Sequence, residues 1–431
     1  MTIENLYSLF IQSTGISTDT RKIISGNIFF ALKGENFNGN KFARKALDLG
    51  AAYVVIDEKE FVFNEKTILV DDVLKTLQQL ANFHRRKLKI PVLAICGSNG
   101  KTTTKELIKS VLETQLKVFA TQGNFNNHIG VPLSILSLKK ENEFAVLELG
   151  ANHLLETKLL CEIAEPDFGL ITNNGKDHLE GYGSLENIKK GNGELYDFLQ
   201  AENKLAFVCA DERDLIHASS DLNRVTYGTD IYETVQGKII SSFPFLKIEC
   251  SISNSSFEIK TNLVGDYNLP NVLAAICVGN YFGISIENMQ RGIENYFPSN
   301  NRSQMKKIGN NIFILDCYNA NPSSMSASVK SFSDMEFENK IAVLGDMAEL
   351  GNASEEEHQL MIEFAEHLPL QKIIFCGNNF FQFNKKQNEK LIFFSSLTDT
   401  KKFIREQNYA DAAFLLKASR TVGLEKIIDE N

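Results

Sequence analysis

The sequence lacks the basic excess that is typical of nucleic-acid-binding proteins. Its 45 Lys and Arg residues are outnumbered by 54 Asp and Glu residues, and the formal net charge is -9. Nucleic-acid binders usually gather basic residues on one face, so no nucleic-acid partner is expected. Anionic ligands are not excluded, because backbone N–H groups and a single lysine can bind a phosphate.

Long apolar runs are also absent. No segment approaches the ~18 consecutive apolar residues of a membrane span, and the most apolar stretch, residues 272–284, is interrupted by Gly and Asn. The first residues, MTIENLYSLFIQS, have no basic n-region, so no signal peptide is expected.

Paired cysteine motifs are missing as well. The seven cysteines are scattered, odd in number and without C-x-x-C spacing. Several lie in apolar runs such as VLAIC and LAFVC, which predicts buried, reduced thiols that behave as small hydrophobic residues. Reduced thiols favour a cytoplasmic location.

The chain has ordinary globular composition, with 43% hydrophobic and 23% charged residues. At about 150 residues per domain, its length suggests about three domains. Short β-branched or aromatic runs alternate with helical patterns, which predicts an α/β fold. The predicted domains are residues 1–84, a small α/β substrate domain; residues 85–300, a central domain with a mostly parallel sheet; and residues 301–431, a Rossmann-like domain.

Several segments support this division. Residues 73–87 repeat apolar positions at helical spacing and predict a helix that leads into the central domain. The runs PVLAIC, FAVLELG, DFGLITN and LAFVC predict buried parallel strands. Residues 234–262 alternate and predict antiparallel hairpins, and NIFILDC, KIAVLGD, QKIIFCG and AFLLKAS predict a last series of strands.

The segment GSNGKTT predicts a phosphate-binding loop, because it lies between the strand PVLAIC and a helical sequence. Gly97 and Gly100 permit the chain to turn so that N–H groups face phosphates. Lys101 adds a positive charge, and the Thr102 hydroxyl can reach Mg²⁺. The predicted nucleotide-binding residues of this loop are Gly97, Ser98, Asn99, Gly100, Lys101, Thr102 and Thr103.

Two further residues are predicted near that loop. Glu148 ends an apolar strand, where a buried carboxylate needs a partner or a metal ion. His178 follows the strand DFGLITN at the edge where ligands gather in parallel sheets. We expect Lys101, Glu148 and His178 to be catalytic, and Thr102, Glu148 and His178 to hold Mg²⁺.

The sequence resembles the Mur ligases, ATP-dependent amide-bond ligases of bacterial cell-wall precursor synthesis. The resemblance is carried by STDTRKIISGNIFFALKGENFNGNKFA, GSNGKTTTKE, GNFNNHIGVPLSIL, FAVLELGANH, DHLEGYGSLENI, DCYNANPSSM, LGDMAELG and LLKASR, in family order. The NNHIGVPL and ELGANH forms are similar to those of the member that adds D-alanyl-D-alanine to UDP-N-acetylmuramoyl-tripeptide. The D-N-P-R motif of the member that adds diaminopimelate is absent.

The resemblance implies ATP and Mg²⁺ as cofactors, those two substrates, and a last domain that closes over the central one. The protein is expected to be a monomer, although no pattern in the sequence gives the oligomeric state. It implies further ATP contacts from Asn268, Asn271, Arg302 and Asp316. Substrate contacts are implied for Ser17, Thr20, Arg21, Lys33, Gly34, Asn126, Asn127, Asn319 and Asn321. The family more often has His-Asn where this chain has Tyr267-Asn268.

At one position the chain departs from the family pattern. Mur ligases commonly carry a lysine, a few residues after the DH motif, that becomes carbamylated. That position is Asn192 here, and Lys189 is the better of the two neighbouring lysines as a substitute, because three residues separate it from Asn192 on a helix. An alignment shifted by two residues would instead place a lysine at the position itself.

Two alternative functions remain open at this point. One is a sister ligase, such as a folylpolyglutamate synthase or a UDP-muramoyl-dipeptide ligase. The other is a P-loop protein without enzymatic activity that uses ATP only to change conformation.

Overall fold

The computed structural model describes residues 1–230, 232–253, 255–299 and 301–429. Residue 300, where the second predicted domain ends, lies outside the described residues. The chain forms two compact units. The first comprises Met1–Ile95, Leu116–Ala151 and Leu155–Gly169, and the second comprises Cys96–Gln115, Asn152–Leu154 and Leu170–Asn431.

The amino-terminal part of the chain contains the following helices and strands: α1 (Ile3–Phe10), β1 (Ile16–Ser17), β2 (Ile28–Phe30), β3 (Lys33–Gly34), β4 (Phe37–Asn38), α2 (Ala43–Asp48), β5 (Tyr53–Ile56), β6 (Thr67–Leu69), α3 (Val73–Leu88) and β7 (Val92–Cys96). Strands β1, β2, β5 and β6 form a parallel sheet in that order. The predicted helix over residues 73–87 is confirmed as α3. Asp72 begins it by accepting the Lys75 N–H, and basic residues occupy its last turn.

The middle of the chain contains α4 (Lys101–Leu112), β8 (Val118–Ala120), α5 (Gly130–Leu136), β9 (Phe144–Glu148), α6 (Glu156–Ala164), β10 (Phe168–Ile171), α7 (Leu179–Tyr182), α8 (Leu185–Ala201), β11 (Leu205–Cys209), α9 (Arg213–Ala218), β12 (Asn223–Gly228), β13 (Val235–Ser241), β14 (Lys247–Ile252), β15 (Ser255–Lys260), α10 (Leu269–Tyr281) and α11 (Ile286–Glu294). In the first unit β7, β9 and β8 are parallel neighbours. In the second, β11, β12 and β13 are parallel. The predicted antiparallel hairpins are confirmed as β13, β14 and β15.

The carboxyl-terminal part contains β16 (Gln304–Ile308), β17 (Asn311–Asp316), α12 (Pro322–Asp334), β18 (Asn339–Gly345), α13 (Ser354–Glu366), β19 (Lys372–Cys376), α14 (Asn378–Phe381), β20 (Leu391–Phe394), α15 (Leu397–Glu406) and β21 (Ala412–Lys417). Its six-stranded sheet has the order β16-β17-β21-β18-β19-β20 and is parallel except at β16.

Alternate residues of these strands pack into two separate buried clusters. Ile314, Leu344 and Phe375 belong to one cluster, whereas Leu315 and Val343 belong to the other. Apolar residues therefore cover both faces of the sheet, as the continuous apolar runs in the sequence predicted.

All seven cysteines are buried and none of them forms a disulfide, as predicted. In the described part of the chain, no helix combines the length and the apolarity that a membrane span would require.

Candidate active site

The segment between β7 and α4 has the strand–turn–helix form that its sequence predicted. The five residues of β7 are buried, and the chain then turns at Gly97 and Gly100, which have φ angles of +117° and +83°. A Cβ atom at Gly97 would lie 2.4 Å from Oγ1 of Thr172, so glycine is required there both by the backbone angle and by a close neighbour.

Gly100 is the N-cap residue of α4 and offers no side chain to accept its first N–H groups. A helix leaves its first four N–H groups without intrahelical acceptors, and their partial positive charge favours an anion. The structure therefore fits the predicted phosphate site at the start of α4.

Lys101 is folded back over the loop that precedes it. Its Nζ donates hydrogen bonds to the carbonyl oxygen of Gly97 and, at 3.1 Å, to that of Ser98. Backbone carbonyls alone hold the ammonium group in these contacts, so it can turn to phosphate oxygens without breaking an ion pair.

Ser98 and Asn99 are fixed by the segment that follows β10. Ser98 Oγ lies 2.5 Å from Oδ1 of Asp177, and both side chains are buried. The Asn99 N–H donates to Oδ1 of Asn173 at 3.1 Å, and Asn173 Nδ2 donates to the Asn99 carbonyl at 3.0 Å. Sequence reasoning missed Asn173 and Asp177, although both follow the strand that led to His178.

His178 lies in the same segment, with a left-handed φ of +46°. Its Nδ1 contacts the carboxylate of Glu349, and its Nε2 is 3.9 Å from Oδ2 of Asp177. The contact with His178 lowers the pKa of Glu349, and the positive charge of Lys101 acts in the same direction, whereas partial burial opposes both. Glu349 lies in the DMAEL segment, for which the resemblance to Mur ligases implies a position facing the peptide or the incoming dipeptide.

Asn268 and Asn271 form a buried hydrogen-bond network. Asn271 Nδ2 donates to Oδ1 of Asn268 at 2.9 Å, and its Oδ1 accepts the Thr104 hydroxyl at 2.9 Å. Asn268 Nδ2 donates to the Val264 carbonyl at 2.9 Å. The same Oδ1 of Asn271 would lie 2.6 Å from a Cβ atom at Gly100, so the network packs directly against the phosphate loop.

Tyr267 extends this network towards the carboxyl-terminal part of the chain. Its hydroxyl is 3.0 Å from Oγ of Ser303, and its burial raises its pKa. The residue that departs from the more common His-Asn pattern is thus a partly buried phenol whose hydroxyl has a hydrogen-bond partner.

The carboxyl ends of β17 and β21, here called the β17–β21 edge, carry the next predicted group. Lys417 Nζ is 2.8 Å from Oδ2 of Asp316 and donates to the Asn319 carbonyl at 3.0 Å. The guanidinium of Arg302 stacks 3.8 Å above the ring of Tyr318, and that of Arg420 lies 5.4 Å from the same ring. The structure thus places Arg302, Asp316 and Asn319 in neighbouring contacts.

Asn321 connects this edge to the phosphate loop. Its Nδ2 donates to Oδ1 of Asn99 at 2.8 Å, and its Oδ1 accepts the Ser324 N–H at the start of α12. Both residues belong to the second compact unit.

Glu148 lies in the first unit, at the end of β9 and opposite Ile95 of β7. Its side chain is buried, and its Oε1 accepts a hydrogen bond from Asn126 Nδ2 at 2.9 Å. Asn127 Oδ1 accepts the N–H of Gly130, the first residue of α5, at 2.9 Å. The predicted substrate residue Asn126 is therefore directly paired with the predicted catalytic carboxylate.

The other predicted substrate residues of the first unit form two groups. Ser17, Thr20 and Arg21 lie in and just after β1, where Arg21 pairs with Asp19 at 2.8 Å and lowers the pKa of that carboxyl to about 2. Lys33 and Gly34 form β3, and Lys33 pairs with Asp57 at 3.1 Å.

No three His, Cys, Asp or Glu side chains within the described ranges are grouped so that they could hold a metal ion. The hydroxyl of Thr102 and the carboxylate of Glu148 are hard oxygen donors of the kind that Mg²⁺ prefers. Mg²⁺ usually completes its shell with waters and substrate phosphates, so a preformed protein cage is not required.

Three family models match the chain in order. They are the Mur ligase family catalytic domain over residues 12–85, the Mur ligase middle domain over residues 95–279, and the Mur ligase glutamate ligase domain over residues 301–420.

Curated relatives are similar over nearly the whole chain. The UDP-N-acetylmuramoyl-tripeptide–D-alanyl-D-alanine ligase of Bacillus subtilis is 34% identical, with 96% of this chain and 92% of the relative covered. The Escherichia coli ligase of the same name is 30% identical, with 97% and 93% covered.

Solved structures are similar as well. MurF from Acinetobacter baumannii has a TM-score of 0.88 at 28% identity, with 98% of this chain and 97% of that one covered. MurF ligase from Thermotoga maritima, in complex with ADP, has a TM-score of 0.86 at 26% identity, with 97% of both chains covered. From these full-length similarities and from the three matched domains, the chain belongs to the Mur ligase family.

Proposed function

We propose that this chain is an ATP-dependent ligase that adds D-alanyl-D-alanine to UDP-N-acetylmuramoyl-tripeptide in peptidoglycan precursor synthesis. The observation that carries the proposal is the phosphate loop in a chain similar over nearly its whole length to ligases of that name. In this loop the start of α4 has no side-chain cap, and the Lys101 ammonium is bonded to the carbonyls of Gly97 and Ser98. ATP is the phosphoryl donor, and the reaction forms ADP and phosphate.

The chemistry follows from the weakness of a carboxylate as an acyl donor. Transfer of the γ-phosphoryl group to the terminal carboxylate of the tripeptide breaks the bond between the γ-phosphorus and the β–γ bridging oxygen, releases ADP and forms an acyl phosphate. The amine of D-alanyl-D-alanine then attacks the carbonyl carbon, the carbon–oxygen bond to phosphate breaks, and the amine loses a proton.

The residues of the phosphate loop contribute position and charge. The N–H groups at the start of α4 and the ammonium of Lys101 bind the phosphates and stabilise charge in the transition state. Ser98 and Asn99 hold the loop through Asp177 and Asn173. Mg²⁺, when bound, neutralises charge on the phosphate oxygens, and Thr102, Glu148 and His178 are its proposed ligands.

The remaining predicted roles belong to this proposal. Asn268, Asn271, Arg302 and Asp316 serve the nucleotide, and the substrate residues Ser17, Thr20, Arg21, Lys33, Gly34, Asn126, Asn127, Asn319 and Asn321 serve the muramoyl peptide or the dipeptide. The domains are residues 1–84, 85–300 and 301–431, and the protein is a cytoplasmic monomer without a nucleic-acid partner. The seven buried cysteines, none of which forms a disulfide, support the cytoplasmic location.

A single assay tests the function. Release of ADP and phosphate is measured with ATP and Mg²⁺, with each substrate alone and with both together. Sustained release only with both UDP-N-acetylmuramoyl-tripeptide and D-alanyl-D-alanine supports the proposal. Turnover with another muramoyl peptide and a single amino acid would identify a sister ligase, and nucleotide binding without turnover would identify an ATP-dependent switch.

A further inference from the structure

One asparagine side chain makes two different contacts at the start of α12. Oδ1 of Asn321 accepts the Ser324 N–H at 2.8 Å, which caps the helix, and the Ser324 hydroxyl completes a capping box with the Asn321 N–H at 3.1 Å. The amide nitrogen of the same side chain donates to Oδ1 of Asn99 at 2.8 Å. A helix cap needs only the side-chain oxygen of Asn321, so its amide nitrogen is available for the separate hydrogen bond to Asn99.

Asn99 transmits this contact to the backbone of the phosphate loop. Its N–H and its carbonyl oxygen are both bonded to the side chain of Asn173. The Asn99 peptide is therefore held on one side by the segment after β10 and on the other by α12. A shift of the first turn of α12 would move the loop between Gly97 and Gly100.

Gly175 shows how closely these segments meet. A Cβ atom there would lie 2.8 Å from Nδ2 of Asn99 and 3.1 Å from the Ser323 side chain, and the Lys176 N–H donates to Ser323 Oγ at 2.9 Å. Three segments thus converge without room for one methyl group: the phosphate loop, the loop after β10, and the first turn of α12.

We infer that Asn321 is a positioning residue that, through Asn99, holds the phosphate loop in register with α12 of the C-terminal domain. The inference rests on the proposed function, because the loop is assigned to ATP. Contacts that align the phosphates matter most in the transition state, so their loss lowers kcat more than it raises the KM for ATP.

The hydrogen bond between Asn321 Nδ2 and Asn99 Oδ1, here called the link, can be removed without removing the helix cap. The variants Asn321→Ser and Asn99→Ala do this. Serine is a good N-cap residue, but its hydroxyl is too short to reach Asn99. We expect each variant to lower kcat about tenfold with a smaller change in KM for ATP, and the double variant to lower it no further, because both remove the same interaction. Multiplied losses in the double variant would overturn the inference.

Ser324→Ala is the matched control. It removes one half of the capping box and leaves the Asn321–Asn99 bond in place, so kcat should stay close to that of the wild type. A loss equal to that of Asn321→Ser would show that the cap, and not the link, determines kcat.

A pair of glycines tests the close approach. Gly175→Ala should lower kcat as Asn321→Ser does, because the methyl group displaces the Asn99 side chain. Gly193→Ala, in α8, adds the same methyl group where no atom outside the adjacent helix backbone lies within 4 Å, and it should leave kcat unchanged. An unchanged kcat in Gly175→Ala would contradict the inference.

Hydrogen–deuterium exchange provides a readout that does not depend on ligase turnover. Addition of ADP should slow exchange in residues 321–326 of the wild type and should have less effect in Asn321→Ser. Equal slowing in both proteins, or none in either, would overturn the link. If the wild type makes no product from the two proposed substrates, the proposed function fails, while this exchange comparison still decides the link.

Discussion

The phosphate loop and the β17–β21 edge each hold a lysine, but they hold it in different ways. Lys101 is bonded to the carbonyls of Gly97 and Ser98, which lie within four residues of it. Lys417 is bonded to Asp316 and to the Asn319 carbonyl, about 100 residues earlier in the chain. The first site is built by one turn of backbone, and the second by the pairing of two parallel strands.

This difference separates function from stability. Lys101 is partly exposed and its hydrogen bonds end on backbone carbonyls, so its removal leaves no hydrogen-bonded carboxylate without a partner. Lys417 is buried against Asp316, and removal of one member of a buried pair leaves the other without compensation. Substitutions of the two lysines should therefore act on different measurable quantities.

The largest effect on activity is expected for Lys101→Ala. Loss of the ammonium group should lower kcat about 1,000-fold or more, which corresponds to ~4 kcal/mol of transition-state stabilisation. The melting temperature should stay near that of the wild type. Lys109→Ala is the control, because Lys109 lies on the same helix and makes only a surface ion pair with Glu113. Near wild-type turnover in Lys101→Ala would rule out the phosphate-loop assignment.

The largest effect on stability is expected for Lys417→Met. The unpaired carboxylate of Asp316 should lower the free energy of unfolding by about 3 kcal/mol or more, as measured by urea denaturation. The double variant Asp316→Leu, Lys417→Met removes both charges and should recover much of that stability while activity stays low. If the double variant is less stable than the single one, the pair does not account for the loss.

The protonation of His358, in α13 of the same part of the chain, should have a smaller effect on the free energy of unfolding, and that effect depends on pH. His358 Nε2 accepts the Met347 N–H at 3.1 Å, and its Nδ1 donates to the Ser354 carbonyl at 2.6 Å, so the neutral ring satisfies both neighbours. Burial lowers its pKa, although the Ser354 carbonyl and the charges of Asp346 and Glu357 oppose this.

Because the folded pKa lies below the ordinary value of 6.5, the folded protein resists protonation. The contribution of neutral His358 to the free energy of unfolding is fully present above pH 6.5. It decreases as the pH falls below 6.5 towards the lower pKa of the folded state. Urea unfolding between pH 8 and pH 5.5 should show a steeper loss for the wild type than for His358→Gln, whose amide can accept the Met347 N–H without titrating. Parallel curves would show that His358 does not contribute.

Local patterns in the sequence predicted the strand–turn–helix form around Gly97, Gly100 and Lys101, because these residues lie within one turn of the chain. The strands that lead to His178 and Asp316 were predicted as well, because each is a continuous apolar run in the sequence. The partners of those residues were not. Asp177, Glu349 and Lys417 meet Ser98, His178 and Asp316 across ~80 to 170 residues of chain, and no local spacing encodes such pairs.

The last prediction is that ligase activity does not change when dissolved CO₂ is removed. The resemblance to Mur ligases implies a carbamylated lysine at the position of Asn192. Asn192 is buried in α8, and its Nδ2 donates to Oδ1 of Asn174 at 2.9 Å. Its side chain is an amide, which cannot react with CO₂ to form a carbamate.

Neither neighbouring lysine is placed to substitute for it. Lys190 is exposed, and the Nζ of Lys189 lies 2.5 Å from Oδ2 of Asp214, a contact that raises the pKa of the lysine. Carbamate formation needs the neutral amine, and a raised pKa makes that form scarcer at neutral pH.

Ligase activity should therefore be the same in buffer stripped of bicarbonate at mildly acidic pH and after bicarbonate is restored. The variant Lys189→Arg, which keeps the charge but cannot form the carbamate, should be equally indifferent. In the wild type, activity that falls when bicarbonate is stripped and returns when it is restored would show that a carbamylated lysine exists. If Lys189→Arg no longer shows this dependence on bicarbonate, the carbamylated residue is Lys189.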